Sequence, residues 1–304
     1  MTCKWVDHAI ITCIAATITI AARNFDAYLQ TTVVDDSRDS HDRHGRHGDE
    51  GEGNEGDTDT DTDTDTTMLQ CHHDKPRIVG VEGIIGAGKS TLLDAVKRVM
   101  GEQVLIVPER LDLWRALPNT HNHTTHNLLQ DYYEDTRTLA IPFQLFVLLT
   151  RAEALKDALD RAQSSNGVVK LILTERSPGG DACFVHMLAN SGVVPPAWYC
   201  MYRYAQGVLD DLVPRADAFI HLNASIATAQ QQIRSRARSE EGGVSAEFQT
   251  TLMQTIHEWL AREQRRGVRV LTLNSNDVDG LCDTGRVTNA DRTVTDTIRS
   301  FLGI

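Results

Sequence analysis

The chain has 304 residues and a formal net charge of −12, enough for one or two domains. The acidity sits at one end: residues 1–75 hold 6 Lys/Arg against 16 Asp/Glu, and residues 76–304 carry a net charge of only −2. No Lys/Arg-dense stripe crosses that second part, which argues against a nucleic-acid polymer as partner. The six cysteines form no CxxC pair and read as free thiols in a reducing compartment.

In chain order, residues 9–22 are apolar for about fourteen positions. That is too short to span a bilayer comfortably. It suits the apolar region of a signal peptide, with Lys4 before it and Ala21-Ala22 after it. A mitochondrial presequence is another option, although such segments avoid acids and this one holds Asp7 and Asp26; a third reading is that the stretch is not part of the working protein. Residues 35–67 are low in complexity and end in five Asp-Thr pairs, Asp57 to Thr66. With almost nothing apolar to bury, ordering them would cost backbone entropy without return, so the acidic extension 1–75 is expected to be disordered. His41, His44 and His47, and Cys71-His72-His73, have spacings that could hold a metal, but no second ligand pair sits near the cysteine and a solvated polar tail is the favoured reading. Met68 could be an alternative start.

From Arg77 the pattern changes. Five short β-rich runs appear at 77–82, 104–107, 168–174, 218–222 and 268–273. They are nearly continuous apolar runs, as in parallel strands covered on both faces. Amphipathic helical stretches lie between them at 90–100 and 247–260, and Pro195-Pro196 opens another. The alternation predicts an α/β domain over 76–304, with a five-stranded parallel sheet and helices on both faces.

The first strand runs into Gly83-Ile84-Ile85-Gly86-Ala87-Gly88-Lys89-Ser90-Thr91, a GxxxxGK[ST] loop followed by a helix. Gly83, Gly86, Ala87 and Gly88 let the backbone N–H groups curl inward around phosphate, and the helix N-terminus adds partial positive charge. Lys89 is expected to reach the β- and γ-phosphates of ATP, and Ser90 to ligate Mg²⁺. The guanine-reading NKxD motif is absent, against a GTPase. The second strand leads to Glu109, and the third ends in Glu175-Arg176. The strand before Glu109 is expected to lie next to the phosphate-loop strand, and carboxyl ends of strands in such sheets face the ligand crevice. A carboxylate beside the phosphate loop can accept a hydroxyl proton during phosphoryl transfer.

These residues resemble the deoxyribonucleoside kinase family, which includes deoxycytidine, deoxyguanosine and thymidine kinases and viral members. The resemblance covers about 76–275. It rests on the phosphate loop, PERLDLW at 108–114, NLLQDYYED at 127–135, PFQ at 142–144, ERSPGGD at 175–181 and RSRARSEEGGV at 234–244. It implies ATP-dependent phosphorylation of the 5′-hydroxyl of a deoxynucleoside. Glu109 would be the general base, Glu175 the acid on the Mg²⁺ side and Arg176 its partner near the reacting oxygen. Gln144 would read the base edge, Phe143 would stack on the base and Trp114 would wall the pocket. Tyr133 and Glu241 would hold the 3′-hydroxyl. Arg234, Arg236 and Arg238 would form a lid over ATP. The pair Arg151 and Asp181 resembles the deoxycytidine and deoxyguanosine kinases, and implies a preference for deoxycytidine and purine deoxynucleosides over thymidine. A homodimer is implied, with no membrane contact by the folded domain. An ATP-using enzyme is expected in the cytoplasm or nucleus.

Several positions depart from the family pattern. Ile84 replaces an Asn, Gln232 stands where the first lid arginine is expected, and Val185 stands where a second stacking aromatic aligns, beside Phe184. The loop Asn274–Asp277 lacks the usual adenine-contacting aromatic. The rival functions are a monophosphate kinase of the thymidylate kinase type and a nucleotide-binding module without catalysis.

Overall fold

A computed structural model describes residues 75–118, 124–236, 238–274, 278, 280–281 and 286–304. The acidic extension, with its histidine and Cys71-His72-His73 clusters, lies outside the described residues.

The five expected strands form one parallel sheet: β1 (Arg77–Glu82), β2 (Val104–Val107), β5 (Leu171–Glu175), β6 (Ala218–Asn223) and β7 (Arg269–Asn274). Their order is β2-β5-β1-β6-β7. Two short strands, β3 (Leu117–Pro118) and β4 (Thr125–His126), pair as a separate antiparallel ribbon. The helices are α1 (Lys89–Met100), α2 (Leu111–Arg115), α3 (Leu128–Glu134), α4 (Thr136–Ser164), α5 (Pro178–Asn190), α6 (Pro196–Leu212), α7 (Ile226–Arg236), α8 (Ala246–Arg265) and α9 (Asn289–Leu302).

The near-continuous apolar runs are explained by two cores, one on each face of the sheet. Val79, Val81, Leu171 and Leu173 join one cluster with Leu92 and Val96 of α1. Ile78, Ile172, Leu105 and Val107 join the other with Leu155 and Ala158 of α4. Alternate strand residues point to opposite faces, so both sets must be apolar. Helix α4 is long and apolar enough by composition to cross a membrane, but more than half of its apolar stretch is buried inside the protein.

Two expectations about the sheet are corrected. The strand expected at 168–174 spans 171–175. Pairing begins only where the neighbours reach: Lys170 N donates to Gln103 O, Arg77 N donates to Lys170 O, and Val168 lies outside, exposed. The strand carrying the chain to Glu109 is also not the neighbour of β1, because β5 lies between them. Register keeps all three ends level, with Val81 opposite Glu175 and Thr174 opposite Val107. Glu109, Glu175 and the phosphate loop therefore emerge at one edge.

Helix α9 was not anticipated. Thr288 and Asp291 form a reciprocal capping box at its start. Val294, Ile298 and Leu302 are buried, and Arg98 of α1 pairs with Asp291 at 3.0 Å.

Candidate active site

The phosphate loop follows β1 and closes on Gly88, the N-cap of α1. Gly86 has a φ of 79°, and a Cβ there would stand 2.5 Å from Ala229 O, so only glycine fits the turn. The turn that Ile84 would hold differently is fastened from α8. Buried Gln249 accepts from Ile85 N at 3.2 Å and donates to Ile85 O at 2.5 Å. Gln249 was missed in the sequence. Its signal was a lone amide on the apolar stripe of Leu252, Ile256 and Leu260.

Lys89 is buried and donates from Nζ to Ile84 O at 3.2 Å. Burial first, then Arg176, pull its ammonium down to about 8, against the attraction of Glu109, Glu175 and Glu82. Ser90 Oγ donates to Glu175 Oε1 at 2.8 Å. The half-buried hydroxyl and the carboxylate form a pair of hard oxygen donors, the kind that suits Mg²⁺. Among the described residues no group of three His, Cys, Asp or Glu has the form of a metal site.

Arg176 donates from Nε to Glu109 Oε1 at 3.2 Å, and its guanidinium lies 4.8 Å over the Phe184 ring. Among the described residues its buried Nη1 has no hydrogen-bond partner, a costly arrangement in a protein interior. Burial pushes the Glu109 carboxyl up, but Arg176 foremost, then Lys89, Arg151 and Arg238, hold it below its ordinary value. Glu175 is pushed up by burial and by Glu109, against Lys89, Ser90 and Arg176. Two neighbouring carboxyls driven in opposite directions can divide proton-accepting and metal-binding roles.

A pocket opens beside these groups. Gly86, Lys89, Glu109, Trp114, Tyr133, Phe143, Gln144, Glu175, Arg176, Asp181, Arg236 and Arg238, all singled out in the sequence, line it. Trp114 meets Phe143 edge-on at 5.8 Å and donates from Nε1 to Thr150 Oγ1 at 3.1 Å. Both rings wall the pocket and also belong to the core. Tyr132, which sequence reasoning passed over in favour of Tyr133, stacks on Phe143 at 4.7 Å. It bonds the buried Gln144, and burial pushes its hydroxyl up to about 12.

Three of the expected assignments shift. Arg151 does not line the pocket. It sits behind Asp181, bonded to both carboxylate oxygens and to the carbonyls of Glu175 and Arg176. Phe184 faces the pocket while Val185 is fully buried, so the aromatic is supplied one residue earlier than the alignment suggests. Arg234 is exposed at the end of α7 and away from the pocket, whereas Arg236 and Arg238 reach it. Of the three arginines expected in a lid, two line the pocket. Gly83, Ala87, Gly88, Ser90 and Thr91 build the loop and helix start around it without lining the pocket.

Glu241 lies in the turn Ser239–Gly243, and its side chain is outside the described part of the structure. Its neighbour Glu240 is buried, pairing with Arg115 at 2.8 Å. Of the adenine-loop residues, Asn274 ends β7, and 275–277 are outside the described residues. So are 119–123 of the histidine-rich loop.

The sequence model of a family described as deoxynucleoside kinase matches residues 79–296. A deoxyadenosine kinase of Dictyostelium discoideum is 27% identical over 197 residues, covering 64% of this chain and 71% of that one. A thymidine kinase of Ictalurid herpesvirus 1 is 30% identical, covering 60% of this chain and 73% of its own length. In three dimensions, a deoxyadenosine kinase from M. mycoides, solved with bound dCTP, superposes with a TM-score of 0.54 at 20% identity, covering 74% of this chain and 98% of that one. With the matched segment running from β1 into α9 and enclosing every pocket residue described above, the chain belongs to the deoxynucleoside kinase family.

Proposed function

We propose that the protein transfers the γ-phosphoryl group of ATP to the 5′-hydroxyl of a deoxynucleoside seated in this pocket. The observation that carries the reading is the buried, unpartnered Nη1 of Arg176, beside Glu109 and within the same pocket as Lys89. A donor in that position suits an oxygen of a transferring phosphoryl group. Glu109, ionised at neutral pH, takes the hydroxyl proton. Gln144 presents an amide to the base edge between aromatic walls, and Tyr133 lies where the sugar would rest. Arg236 and Arg238 close over the donor phosphates. Ser90 and Glu175 would hold Mg²⁺, which supplies charge neutralisation on the phosphates when bound.

The direct test is a labelled-ATP transfer assay on residues 68–304 against the four deoxynucleosides and the four monophosphates. Label is expected on deoxynucleosides. Label on monophosphates alone would move the protein to the thymidylate kinase type, and no transfer would leave a binding module. The same assay ranks the bases. Asp181, locked by Arg151, narrows the pocket and supports deoxycytidine and purine deoxynucleosides ahead of thymidine. Brisk thymidine turnover with the other three poor would overturn that order.

Lys89 predicts a pH effect. Its pKa is depressed to about 8 in the protein without ligand, and phosphate binding favours the charged form. Below pH 8 the lysine is already protonated, and above it binding must take up a proton. The Kd for ATP is therefore expected to rise toward about tenfold per pH unit above 8. Isothermal titration from pH 7 to 9.5 in buffers of different ionisation enthalpy measures this. A flat Kd with no proton uptake would contradict it.

A second copy of the chain is the proposed partner. Four large apolar side chains stand exposed on α4 and α6: Leu149, Trp198, Met201 and Leu212. Sedimentation is expected to give twice the chain mass, and a monomer at micromolar concentration would exclude it.

A further inference from the structure

Arg176 has a backbone φ of 67°. Among the described residues only Asn166 shares a positive φ without being glycine. Asn166 sits in a turn before Gly167, and asparagine tolerates that conformation. An arginine there must be held by its surroundings.

The holding groups come from β1. Val81 O accepts from Arg176 N at 3.1 Å. Glu82, the last residue of the strand and completely buried, accepts at Oε1 from Ser177 N at 2.8 Å and from Ser177 Oγ at 2.6 Å. Ser177 Oγ in turn accepts from Gly180 N at 3.1 Å and caps α5. A Cβ at position 180 would overlap the Glu82 carboxylate, so the first turn of α5 is shaped to admit that group. Glu82 does not line the pocket, and nothing in the proposed reaction requires it to touch substrate. Among the described residues its Oε2 has no hydrogen-bond partner, so its hydrogen bonds run through Oε1 to Ser177.

We propose that Glu82 is a positioning residue. By gripping Ser177 through its amide and hydroxyl, it holds the left-handed turn at Arg176 from which the guanidinium reaches Glu109. The proposal rests on the reading of Arg176 as a catalytic group. Glu82 would act on the rate only through that side chain, and its removal would let the turn relax and swing the guanidinium away.

A double-mutant cycle tests this, since it isolates what one residue does through another. In the full chain, Glu82→Ala is expected to lower kcat about 10- to 100-fold while leaving KM for ATP and for the deoxynucleoside within about threefold. Glu82→Gln keeps the Oε1 acceptor and should return kcat to within about threefold of the parent. In the Arg176→Ala background, Glu82→Ala should slow the enzyme no further. If Glu82→Ala does not fold, as judged by its thermal melt, Ser177→Ala and Gly180→Ala replace it in the cycle. The first removes one of the two contacts and the second displaces the carboxylate. A parent-like kcat for these variants would overturn the proposal, as would an equal loss with and without Arg176. Parent-like activity of Arg176→Ala itself would remove the catalytic reading of Arg176 and the proposal with it. That result is distinct from a slow Arg176→Ala enzyme that shows no coupling.

Discussion

Replacing Glu109 with Gln should lower kcat by about 10²–10⁴, the range that a positioned base contributes. The variant keeps the size of the side chain and an oxygen to accept from Arg176 Nε, so the fold and the bond at 3.2 Å can persist. What it loses is the capacity to take the 5′-hydroxyl proton. The Kd for ATP should therefore stay within about threefold of the parent, because the carboxylate acts on the acceptor, not the donor. The pH profile carries a second signature. Because Arg176 and Lys89 hold the Glu109 carboxyl below its ordinary value, the parent should keep its rate down to acidities where an ordinary glutamate would protonate. Activity should fall only as pH drops through that lowered pKa. In Glu109→Gln the acid limb should vanish along with the rate. Single-turnover transfer at several pH values measures both, and parent-like turnover would move the base elsewhere, with Glu175 the nearest alternative.

Arg176→Ala should lower kcat by about 10³, the lower end of what a transition-state arginine supplies. The change removes the unpartnered Nη1 and the Nε bond to Glu109 together. It also alters the electrostatics of both neighbours in a predictable direction. Arg176 is the foremost group holding Glu109 down and is second to burial in holding Lys89 down. Without it both pKa values should rise. The acid limb of the residual activity should move to higher pH, and the alkaline weakening of ATP binding should begin later. Arg176→Lys tests geometry against charge. It should restore much of the pH profile but little of the rate, because an ammonium lacks the planar fork that serves two oxygens at once. A loss smaller than about tenfold in Arg176→Ala, with unmoved pH limbs, would demote the residue to a structural one.

The fold and the pocket were legible in the sequence for different reasons. Strands read clearly because both faces of the sheet are covered, which turns each strand into an unbroken apolar run. The phosphate loop read clearly because its glycines, lysine and serine are tied to backbone shape and charge at fixed spacing. What stayed hidden depends on which elements meet. Position 185 aligned with a stacking ring, yet helix phase brings Phe184 to the pocket. The resemblance implied Arg151 as a pocket residue paired with Asp181, but it stands one layer back behind Asp181. Tyr132 and Tyr133 are adjacent and chemically alike, so only packing against Phe143 separates their surroundings. Gln249 grips the phosphate loop from 164 residues away, a pairing that no local pattern announces.

The insertion of β5 between β1 and β2 bears on how the enzyme is made. Neither early strand can hydrogen-bond the other, and the element that joins them begins at Leu171. A ribosome will have released the phosphate loop and the strand before Glu109 long before their common partner exists, so both must wait, unpaired, through the synthesis of all of α4. Contacts so distant in sequence close slowly. In pulse-labelled refolding, amides of β1 and β2 should gain protection together, in the same phase as those of β5. Nucleotide binding should appear in that phase and no sooner.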